Sequence, residues 1–130
     1  MLVPTPADGN GVPETTNLDG VERETSAFRL VARFVDSMAN TRRNNVLMER
    51  LKKMGAPAVA ALCAAVEDPA FPGRGYAVFT LGHTLHECSI DDPHARDLIR
   101  RTTKDADVYV VTLAHSALVV LGEEQSACRR

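Results

Sequence analysis

The feature that most narrows the folds open to this chain is an internal match at a spacing of 37 residues. Setting Asp68 on Asp105 also sets Phe71 on Val108, Tyr76 on Leu113, Ala77 on Ala114 and Leu81 on Leu118. Upstream it sets Leu62 on Ile99. A fixed period of this length marks a supersecondary unit that cannot bury its apolar face alone and is completed by stacking on its neighbours. Both copies read as helix, turn, helix, so the period predicts helix pairs.

The rest of the chain fits that unit. Its 130 residues suffice for one domain with a hydrophobic core. Aromatics make up 5% with no Trp, so the core must be built from Ala, Val and Leu, which suits close-packed helices. Residues 1 to 18, rich in Pro, Gly, Thr and Asn, predict a disordered tail. The helical domain is expected over 19 to 122, with a short flexible C-terminus from 123 to 130.

Asp19 and Glu22 have capping-box spacing, and Ala27, Phe28, Val31, Phe34, Val35 and Met38 recur at helical intervals, predicting one helix over 21 to 38. Leu47, Met48, Leu51 and Met54 share a face of a second, from 42 to 54, which Gly55 stops. Pro57 suits the first turn of a third, from 57 to 67, and a fourth spans 73 to 87. Asp92 followed by Pro93 starts a fifth, from 94 to 103, and Asp105 or Asp107 starts a sixth, from 107 to 121. The β-branched run in VYVVTLAHSALVVL also satisfies a buried strand over its first half; helix is preferred because no other segment offers a neighbouring strand. This last segment has few polar positions beyond Thr112, His115 and Ser116, so the N-terminal helix, a second copy or a partner protein is expected to cover it.

DPAFPGRGYAVFTLG resembles HEAT repeats, especially the phycobilisome-lyase-like subclass: Asp68, Pro69, Arg74, Ala77, Leu81 and Gly82 fall at the matching offsets. The likeness is good over 55 to 82, partial over 94 to 122 and weak before 55. It implies an all-α fold, a short right-handed α-α solenoid of about three HEAT-like helix pairs. It also implies that Asp68 and Arg74 tie the turn to the second helix. Independently of the likeness, Ala77 and Gly82 lack bulk, so a neighbouring helix can approach closely there.

The sequence also bounds function. A formal charge of -2 gives no overall attraction to nucleic acid or an anionic membrane, and no run is long and apolar enough to span a bilayer. Cys63, Cys88 and Cys128 are odd in number and unaccompanied by a leader, so a reducing cytoplasm is expected. His83, His86 and Cys88, with Asp91, Asp92 and His94 nearby, form the densest group of metal-capable side chains, yet they lack a zinc spacing, and no cofactor is expected.

Arg42, Arg43, Arg50 and Lys53 gather on one side of the second helix. Residues 21 to 54 carry eight basic and four acidic side chains, against two and six in 55 to 98. That polarity suits protein recognition at least as well as phosphate binding. The expected function is therefore a non-enzymatic protein-interaction or scaffold module with a protein partner, or a homodimer through 107 to 121; its surface includes Arg42, Arg43, Arg50, Lys53, His83 and His86. A bilin-lyase-type helper subunit and nucleic-acid binding through the basic helix face are the alternatives.

Overall fold

The computed structural model describes residues 26 to 123, and all of its regular structure is helical. The helices are α1 (Ala27–Val31), α2 (Thr41–Met54), α3 (Ala56–Val66), α4 (Arg74–Glu87), α5 (Pro93–Thr102) and α6 (Val108–Val120). A 3-10 turn, Met38–Asn40, leads into α2. The expected tail at 1 to 18, the Asp19 and Glu22 caps and residues 124 to 130 lie outside the described residues.

Local chemistry sets most boundaries. Gly55, at φ 70, separates α2 from α3 in a conformation that costs other residues strain, and α3 carries Pro in its first turn. The Asp92 carboxylate accepts from the Ala95 N–H and Pro93 follows it, which fixes the start of α5. Asp107, not Asp105, caps α6, accepting from the N–H groups of Tyr109 and Val110, so VYVVTLAHSALVV is helix throughout.

The first expected helix is corrected. Within 21 to 38 the described helix covers Ala27–Val31 alone. Arg33 and Phe34 then donate to Leu30 and Val31, a tightened pattern that ends the helix, and the Asp36 N–H pairs with the Pro72 carbonyl. Leaving the helix lets Phe34 bury completely and carries Asp36 to the start of α4. Tertiary contacts override the apolar periodicity here.

Contacts follow chain order in two sets. α1, α3 and α5 touch in sequence, as do α2, α4 and α6, and each odd-numbered helix packs on the even-numbered one that follows it. The core lies between the sets, where Leu30, Phe34, Leu47, Leu51, Leu62, Leu81, Leu85 and Ile99 are fully buried.

The repeat register survives in this core. Ala77 and Ala114 are both inaccessible, as are Leu62 and Ile99, and Leu81 and Leu118 are both buried. Asp68 and Asp105 each accept from the N–H two residues on, Ala70 and Asp107 respectively. The ends of the helices differ, however: Val108 aligns with Phe71, yet α4 begins only at Arg74.

The most extensive helix–helix contact is between α4 and α6. A Cβ at Gly82 would stand 2.6 Å from Ala117 Cβ and 2.9 Å from its Cα. One at Gly75 would stand 2.9 Å from Leu113 Cδ1 and 3.0 Å from Tyr109 Cδ2. These two missing side chains allow α6 to lie against the α4 backbone.

Two substitutions test this packing in urea unfolding. Gly82→Ala is expected to lower stability by about 1–3 kcal/mol, because the added methyl forces the helices apart; an unchanged midpoint would contradict the contact. Ser89 adopts φ 53 just beyond α4, where glycine is unstrained. Ser89→Gly is therefore expected to raise stability by roughly 1 kcal/mol, and a loss would show that the strain is absent.

Candidate functional site

Gly75 and Gly82 turn one side of α4 toward α6, while Tyr76 and Glu87 turn another toward α2. The Tyr76 hydroxyl donates to Asn45 Oδ1 at 3.3 Å, and Glu87 accepts from Lys52 Nζ at 3.0 Å. At 3.6 residues per turn, Phe79, His83 and His86 are left between these two contacts, on the open side of α4. α2 and α6 flank that strip.

The strip is aromatic. Phe34 stacks on Tyr76 with ring centroids 5.7 Å apart, Tyr76 meets Phe79 edge-on at 6.0 Å, and Phe79 meets His83 edge-on at 4.5 Å. The row runs from the inaccessible Phe34 to half-buried Phe79 and His83. Tyr109, 39% exposed, adds a ring from the α6 side. In a chain with two Tyr and four Phe, Phe79 and Tyr109 are the rings partly open here, with Phe34 and Tyr76 buried beneath them.

Charges frame it. Lys52 is held between Glu49 at 2.9 Å and Glu87 at 3.0 Å. Burial works against its ammonium, but the two carboxylates outweigh that and raise its pKa. Glu87 Oε2 also lies 3.6 Å from His83 Nδ1. Burial beside Phe79 depresses the His83 pKa, the hydrogen bond to Glu87 opposes this, and Lys52 adds to the depression. His83 is consequently neutral at neutral pH.

At the other end, Asp36 accepts from the N–H groups of Gly75 at 2.6 Å and Tyr76 at 3.0 Å, capping α4 from a distant part of the chain. α4 has no cap side chain of its own at Gly73. Burial raises the Asp36 pKa, opposed by those two N–H bonds and reinforced by Asp107.

The other candidates are dispersed. Arg74 does not pair with Asp68: its Nη1 meets Asp105 Oδ1 at 2.9 Å and its Nε donates to the Val66 carbonyl. It therefore joins the two repeat units, while Asp68 accepts from the Ala70 N–H of its own turn. The basic group on α2 divides, with Arg42 and Lys53 exposed and Arg43 and Arg50 half-buried. Arg43 donates to the Arg33 carbonyl.

His86 is exposed, Cys88 donates to the Lys52 carbonyl at 3.3 Å, and His94 lies 3.5 Å from Glu67. Among the described residues no group of three or more His, Cys, Asp or Glu side chains is placed to hold a metal ion. Cys63 is buried, and burial pushes its thiol up to about 11, which keeps it protonated. No described helix is long and apolar enough to cross a membrane.

His83 and His86 stand out in the sequence, whereas Tyr76, Phe79, Tyr109, Asn45, Glu49, Lys52 and Glu87 do not. The spacing of Tyr76, Phe79 and His83 was the available signal, since such positions adjoin on a helix. No protein-family model, curated protein or solved structure matches the chain.

His83 gives a pH test with a definite sign. Its folded pKa lies below the ordinary 6.5, so the stability it contributes is present above 6.5 and is lost as pH falls toward the folded value. Thermal melts from pH 7.5 to 5.5, a range of about two units around the ordinary histidine value, should show falling stability with a shallower slope in His83→Gln. Equal slopes would contradict the buried, neutral ring.

Proposed function

We propose that this chain is a non-enzymatic protein-interaction module, a short right-handed α-α solenoid of HEAT-like helix pairs, which binds a partner protein across the open side of α2, α4 and α6. The observation that carries the reading is the partly open aromatic pair Phe79 and His83, backed by the buried Tyr76 ring and joined by Tyr109. Aromatic side chains lose little entropy on binding and dominate interface hot spots. Here they sit on packed helices, with Phe34 and the Asn45 hydrogen bond holding Tyr76 in place.

The HEAT-like reading is supported by the ordered contacts of the odd- and even-numbered helices and by the shared Asx turns at Asp68 and Asp105. Stacked helix pairs of this kind present an extended face rather than an enclosed cavity. That geometry favours a macromolecular partner over a small molecule.

Affinity capture with two baits tests the reading. The wild-type chain is expected to retain a partner that a Phe79→Lys/Tyr109→Lys bait loses, with binding weakened by roughly 30-fold or more, the effect of about 2 kcal/mol at a hot spot. A cooperative thermal melt of the variant shows that it is folded. The same proteins retained equally by both folded baits would exclude this face.

Self-pairing through α6 is a second reading, favoured by Val108, which is 78% exposed, and by the absence of Asp, Glu, Lys and Arg from 108 to 122. Light scattering across a concentration series tests it. A mass that rises toward two chains and reverts in Val108→Lys supports it, and a constant single-chain mass rejects it.

A further inference from the structure

We draw no further inference here: the strongest candidate, the cleft between the 69–72 and 105–110 turns lined by Asp36, Arg74, Asp105 and Asp107, is an acidic cluster whose carboxylates already cap helices or pair with Arg74, and no second feature points to a ligand.

Discussion

The contact of α4 with α6 through glycine is the constraint on which the other arrangements depend. Because Gly75 and Gly82 present no side chain, α6 approaches the α4 backbone itself, and Ala114 and Ala117 are inaccessible. That approach uses up the α6 side of α4. The opposite side is taken by α3 and α2, so the aromatic residues of α4 have one direction left, and they form a row there. A bulkier residue at Gly82 would separate the helices and leave Leu81 and Leu118 with poorer partners, since close-packed interiors tolerate little added volume.

Polar contacts fix how the units meet. Asp36 and Asp107 cap the two helices that touch most extensively, one from a remote segment and one from its own turn. A cap of this kind contributes about 1 kcal/mol. Arg74 links the Val66 carbonyl to Asp105, and Glu123 holds Arg96 at 2.6 Å and Arg100 at 2.9 Å, closing α6 onto α5. Glu123, the first residue of the expected flexible end, is thus part of the packed unit. The pairs that are largely exposed add little stability; their contribution is to register.

Much of the helix content was legible because its signals are local. Gly55, Pro57 and the Asp92–Pro93 step act on their own backbone, so reading them needs no tertiary knowledge. Gly82 was legible as a position where a helix can approach closely, although the residue that meets it, Ala117, was not. The end of α1 was illegible because Phe34 and Asp36 leave the helix for partners far along the chain: a completely buried site and two N–H groups on α4. Arg74 pairing with Asp105 and not Asp68 has the same character, since the partner lies in the next unit and only the packing of the units brings it near. The candidate face was hidden for a related reason. The spacing of Tyr76, Phe79 and His83 makes them neighbours on a helix, but only the placement of α2 and α6 decides which of them remain partly open.

The packing of α6 on α4 depends on Gly82 and Ala117 touching. A nuclear Overhauser spectrum of the isotope-labelled chain measures this directly, without any substitution. Strong cross-peaks between the Gly82 α protons and the Ala117 methyl, together with peaks from Gly75 to Leu113 and Tyr109, are the predicted result. Assigned Gly82 α protons with no cross-peak to Ala117 would contradict it, and the open aromatic face derived from that packing would fall with it.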